Sequence, residues 1–139
     1  MTGNTMRARI TVVGRIDTGD GRPDLIRGEY AGLYTELDHG FMLEYDESEP
    51  PAHVALSCHA GRALLERAGE PHSRMEFLPG TTQAALYALP EGEFDLATEC
   101  SALDLDQTAT HGRLRIAYRL LSAGALVSDN RLLVTYRLC

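Results

Sequence analysis

Apolar and polar residues alternate through most of this chain, in short runs separated by glycine-centred breaks. The stretch Arg113-Leu114-Arg115-Ile116-Ala117-Tyr118-Arg119-Leu120 puts Leu114, Ile116, Tyr118 and Leu120 on one side and three arginines on the other. Side chains two apart on an extended strand share a face, so this pattern predicts strands with one dry face and one wet face. Gly21, Gly40, Gly61, Gly80, Gly92, Gly112 and Gly124 stand at nearly even intervals in short turn-like clusters. Together they predict a β-meander, which must close on itself or leave exposed edges.

The first strand covers Met6–Val12, and a Gly/Asp/Pro-rich break from Asp17 to Asp24 follows it. Leu25–Leu37 is the second strand, with Gly28 and Gly32 inside it suggesting a bulge or bend. Phe41–Tyr45 returns as the third. Asp46-Glu47-Ser48-Glu49-Pro50-Pro51 reads as a loop, because two prolines and three carboxylates fit a ladder poorly.

Residues 53–67 pull two ways. Ala, Leu and Glu there favour helix by propensity. Ala60-Gly61 nevertheless divides the run into two strand-length pieces, and Val54, Leu56 and Cys58 alternate, so a hairpin is the better reading. Inward sets then recur at Ser73/Met75/Phe77, Ala85/Tyr87/Leu89 and Phe94/Leu96/Thr98/Cys100. Asp104–Gly112 reads as the longest late loop, and Arg113–Leu121 and Leu126–Leu138 close the chain. The whole sequence thus predicts one all-β domain over residues 1–139, with residues 1–5 expected to be disordered. An antiparallel barrel of about eight to ten strands is the economical architecture.

From Arg67 onward the residues resemble a particular family. Arg67-Ala68-Gly69-Glu70-Pro71-His72-Ser73-Arg74-Met75-Glu76-Phe77, with Gly80, Tyr87, Gly92 and a closing strand pair, is similar to the YwiB-like proteins. Leu43-Glu44-Tyr45-Asp46-Glu47-Ser48 and Val127-Ser128-Asp129-Asn130 resemble them at matching places. The resemblance implies a calycin-type (lipocalin-like) barrel, and strand rather than helix over residues 53–68. It implies no activity, since the family is a domain of unknown function. One departure is plain: many lipocalins cap the barrel with Arg stacked on Trp, and this chain has no Trp.

Composition narrows the classes. At 139 residues, with 44% hydrophobic and 24% charged, the chain can bury a core without a disulfide or metal staple. The net charge of −7 argues against nucleic acid and anionic membrane surfaces, both of which want a basic stripe. No secretory signal and no stretch of membrane-spanning length is visible. Cys58, Cys100 and Cys139 are odd in number and widely spaced, which fits reduced thiols and a cytoplasmic location.

Sites of chemistry are sparse. Cys58 and His59 are adjacent, so on a strand they point apart and cannot share an ion, and no metal or cofactor is expected. His72-Ser73 fails as a catalytic pair for the same reason, and no Gly-x-Ser-x-Gly elbow exists. Gly19-Asp20-Gly21 carries an acid where a phosphate would sit.

Alternation does single out one group. Arg67, Tyr45, Ser73, Tyr87 and Tyr118 fall on the inward face, among aliphatic walls. Ligand pockets have that make-up, mostly apolar with a few polar handles. The leading expectation is a non-catalytic barrel holding a small apolar or carboxylated ligand, with Arg67 pairing its carboxylate. In the plainer alternative, the tyrosine hydroxyls reach the mouth and Arg67 closes one end on strand-end carbonyls. The protein would then act through its surface, with a homodimer through an open edge near Leu25–Leu37 as one form. An enzyme ranks third, for want of an acid/base pair.

Overall fold

The computed structural model describes residues 4–139 and is built of ten strands. These are β1 (Thr5–Asp17), β2 (Asp24–Leu37), β3 (Gly40–Ser48), β4 (Pro51–His59) and β5 (Arg62–Gly69), followed by β6 (His72–Phe77), β7 (Thr81–Leu89), β8 (Gly92–Gln107), β9 (His111–Ser122) and β10 (Ala125–Leu138). Each pairs antiparallel with its sequence neighbour, and β1 pairs with β10, so the meander closes into a barrel. No helix among the described residues is long and apolar enough to cross a membrane.

Up-and-down connectivity gives the barrel two ends. The β1–β2, β3–β4, β5–β6, β7–β8 and β9–β10 connections ring one mouth, here called upper, and the other connections ring the lower mouth. Phe41, Leu43 and Tyr45 on β3 are buried, as are Val54, Leu56 and Cys58 on β4, alternating with residues that are not. Phe41, Phe77, Ile10, Leu43, Leu56 and Ile116 are buried almost completely and fill the middle. Tyr34 stacks on Phe41 at 5.5 Å between ring centroids, and Tyr136 leans on both, closing the lower half with aromatic rings. There Gln107 Nε2 donates to the Tyr136 hydroxyl at 2.7 Å.

Residues 53–67 form the β4–β5 hairpin. Ala60 and Gly61 both have positive φ (50° and 77°), the backbone that a two-residue hairpin turn requires and a helix cannot use.

Four expectations are corrected. Asp46–Pro51 is not a loop: β3 runs to Ser48 and β4 begins at Pro51, leaving only Glu49 and Pro50 between them. Pro51 starts its strand, where a missing N–H is tolerated, and Glu47 faces inward where it finds a cation. Asp104–Gly112 is largely strand as well, since β8 extends to Gln107 and its acids face outward opposite arginines of β9. No bulge lies at Gly28 or Gly32, for β1 and β2 pair without a register shift from Thr5↔Thr35 to Ile16↔Asp24. Gly32 instead allows close approach, because a Cβ there would run into the Glu44 carbonyl and Ile10. Register shifts fall at Cys100/Ala102 and Leu126/Ser128. Finally, two of the residues 1–5 expected to be disordered are ordered: β1 begins at Thr5, and the Asn4 carbonyl accepts from the Glu36 N–H. Residues 1–3 lie outside the described part.

Candidate functional site

The upper half of the barrel is incompletely filled. A cleft of about 320 Å³ opens there, walled by Ile16, Met75, Ala85, Leu96 and Leu120, with Ser73, Tyr87, Tyr118, Ser128 and Asn130 among its lining. β1 and β6 to β10 all contribute, because the inward positions near the upper end of each strand converge on one space. Three residues singled out from the sequence, Ser73, Tyr87 and Tyr118, meet in this lining. Tyr118 packs its ring on Phe77 at 4.7 Å, which fixes its orientation from below. Burial pushes its hydroxyl up to about 12, so at neutral pH it remains a protonated hydrogen-bond donor. Tyr87 meets Phe94 edge-on at 5.8 Å.

Arg67 and Tyr45 are not in the lining but stand beside it. Tyr45, Val54 and Arg67 occupy directly paired positions on β3, β4 and β5, and Arg67 pairs in turn with Ser73 on β6. Arg67 Nε donates to Glu47 Oε1 at 2.7 Å, and Nη1 lies 3.5 Å from the Pro71 carbonyl oxygen. The guanidinium is thus already engaged, by a carboxylate of the chain itself. Tyr30 stacks on Tyr45 with centroids 4.3 Å apart. The Tyr45 hydroxyl titrates well above the ordinary phenol value, chiefly through burial and then through the negative charge of Glu47.

Alternation alone overlooked the most telling member. Asn130 is 95% buried (relative exposure 5%) and its Nδ2 donates to Ser128 Oγ at 3.0 Å. Its Oδ1 is buried and has no partner among the described residues. Asn130 shares parity with Leu132, Val134 and Tyr136, so its inward direction was available from the sequence. Its missing partner was not. Glu47 escaped notice because it stands in an acid- and proline-rich stretch that reads as a loop. Chemically the cleft offers hydrocarbon walls, hydroxyls and one amide, but no carboxylate or imidazole. Such a set can hold and orient a molecule by packing and hydrogen bonding.

A second titratable group lies outside the barrel wall. His53 Nδ1 is 2.8 Å from Asp46 Oδ1, and its Nε2 is 2.9 Å from Glu44 Oε2. Carboxylates only accept, so both bonds are made only when both ring nitrogens carry hydrogen. The hydrogen bond to Asp46, followed by that to Glu44, accordingly raises the His53 pKa above its ordinary value.

Comparison with known proteins agrees with this architecture. A crystal structure of the YwiB protein from Bacillus subtilis superposes with a TM-score of 0.87 at 21% identity, covering 99% of this chain and 95% of that one. The curated sequence "Uncharacterized beta-barrel protein YwiB" from Bacillus subtilis (strain 168) is 27% identical over 101 residues, 71% of each chain. Residues 10–134 match the family described as Domain of unknown function (DUF1934), and the chain belongs to that family.

Proposed function

We propose that the protein binds a small, largely apolar molecule bearing one hydrogen-bond donor in the upper cleft, without catalysing its conversion. The observation carrying this reading is the buried, unpaired Asn130 Oδ1 in a largely apolar recess. An orphaned buried acceptor costs roughly 1–3 kcal/mol, and a ligand hydroxyl or amide N–H would relieve it. Ser73, Tyr87 and Tyr118 supply hydroxyls around the same space. Arg67 and Tyr45 stand beside it without lining it. The Glu47 ion pair disfavours a ligand carboxylate at Arg67, so a neutral donor is preferred over the acid.

Thermal-shift titration with octanol, octanamide and octanoate tests this, since a ligand that binds only the folded state raises the melting temperature. Octanol and octanamide should stabilise the wild type. In Asn130→Leu the octanamide shift should vanish while the fold persists. No shift with any of the three would end the proposal.

A second reading rests on a different feature. β2 pairs with β3 only from Leu33 to Leu37, so Asp24–Gly32 has a paired neighbour on the β1 side alone. Leu25 and Ile26 on this stretch are exposed, and unpaired edges of this kind recruit other strands. Antiparallel self-pairing centred on Gly28 would set Arg27 opposite Glu29 of a second copy and form a homodimer. Light scattering should then show a dimer that Arg27→Glu splits and the double change Arg27→Glu/Glu29→Arg restores. A monomer at every concentration would exclude it.

A further inference from the structure

The net charge of −7 is not spread evenly over this molecule. All thirteen basic residues, histidine aside, are arginine, and eight of them lie on the three adjacent strands β1, β9 and β10. All eight are exposed on the outer face. Those strands hold only two acids, Asp17 and Asp129, and so carry +6, leaving −13 on the rest of the chain.

The arrangement of the arginines is more telling than their number. Arg9 is paired directly with Arg137, and Arg15 directly with Arg131. Like charges opposite each other on a sheet face are destabilising. No acid occupies any directly paired position beside Arg7, Arg9, Arg15, Arg131 or Arg137; their other partners are Leu33, Ala31, Leu25, Ala117 and His111. Arg113, Arg115 and Arg119 differ, facing Asp106, Asp104 and Glu99 of β8 across the next pair. Five arginines therefore line the β1–β10 pair in a band without a directly paired acid, with Asp17 and Asp129 next along that face beyond Arg15 and Arg131. The Thr11↔Thr135 and Val13↔Leu133 pairs lie between its two arginine pairs. Shallow outer grooves of about 300 and 660 Å³ flank the band, the first including Arg15, Arg115 and Arg131 with Asp104, the second Arg9, Arg113 and Arg137 with Asp106.

We propose that this face binds the phosphodiester backbone of double-stranded nucleic acid, without sequence preference. The two arginine pairs are six residues apart along their strands, or about 20 Å. That distance is too long for one small phosphorylated molecule and suits separate phosphates of a stiff polymer. Guanidinium grips phosphate in a bidentate fork. A protein partner would want a buried aromatic or apolar centre, whereas the apolar residues on this face, Val13, Leu133 and Leu25 among them, are interleaved with arginines. Single strands are held by aromatic stacking, and the grooves offer only His111 and the buried Tyr136 for it. Bulk charge argued against nucleic acid when read from the sequence; the fold sorts that charge into a basic band and an acidic remainder.

Fluorescence anisotropy of labelled 20-base-pair DNA and RNA duplexes, titrated from 50 to 300 mM NaCl, tests the inference. Binding should be detectable at 50 mM and fall with a log–log salt slope of about −3 to −5, near 0.9 per neutralised phosphate. The paired change Arg15→Gln/Arg131→Gln should weaken binding at least tenfold and reduce the slope by about two. Arg62→Gln/Arg74→Gln, which removes the same charge from the opposite side of the barrel, should leave it unchanged. Melting curves of both variants verify that each is folded. No binding at 50 mM, equal loss in both variants, or polyglutamate displacing the duplex at matched charge would overturn the inference. Competition by inorganic phosphate at the same phosphate concentration would reassign the band to free anions and overturn it too.

Discussion

At the scale of single residues, two polar groups carry measurable consequences. The Asn130 Oδ1 is buried and unpaired, so Asn130→Leu should leave the folded state as stable or up to about 1 kcal/mol more so in urea denaturation. A clear loss would mean that the amide is satisfied in the protein. His53 behaves oppositely. Its folded pKa lies above the unfolded value of about 6.5, so its stabilising effect is complete below that value and is lost as pH rises through the folded pKa. His53→Gln should therefore destabilise at pH 5.5 and have little effect at pH 8.5. The side chain is half exposed, so the difference should be only a few tenths of a kcal/mol to 1 kcal/mol. Chemical-shift titration of the ring checks the direction independently. Alternation could read the direction of Asn130, since it shares parity with Leu132. It could not read the missing partner, which depends on where five other strands bring their side chains. Glu47 was harder still, because its neighbours Glu49, Pro50 and Pro51 imitate a loop.

At the scale of elements, the strands were legible wherever inward residues are apolar and became obscure where inward or outward positions are charged. Phe41-Met42-Leu43 and Val54-Ala55-Leu56 announce themselves. Asp46–Ser48 and Asp104–Gln107 do not, because their acids are matched to Arg67, His53 and the β9 arginines only across strands. Gly28 and Gly32 misled for a related reason: a missing side chain signals either a bulge or a close neighbour, and only the paired strand decides. The β2–β3 seam is the shortest pairing beside β2, five residue pairs against twelve with β1. Gly32→Val would drive a branched side chain into the Glu44 carbonyl at its upper end. We expect a loss of about 1–3 kcal/mol, with amide exchange accelerating first in Leu33–Leu37. Uniform acceleration around the barrel would show that the substitution does not open this seam first.

At the scale of the whole molecule, closure puts β1 beside β10, and no local reading of the chain foresees that its two ends carry matching arginines. Arg9 and Arg15 near the start meet Arg137 and Arg131 near the end only because the meander closes. Their mutual repulsion is a property of the free protein and can be measured without any ligand. Arg131→Glu converts the Arg15↔Arg131 pair from like to opposite charge and should raise stability by a few tenths to 1 kcal/mol at low salt. The gain should shrink at 0.5 M NaCl, where the screening length is only a few ångströms. The wild type should move the other way and melt higher as salt screens both the basic band and the acidic remainder. If Arg131→Glu melted no higher at 20 mM NaCl, the two guanidinium groups would be splayed far enough apart to ignore each other. Their pairing would then no longer argue for an anion between them.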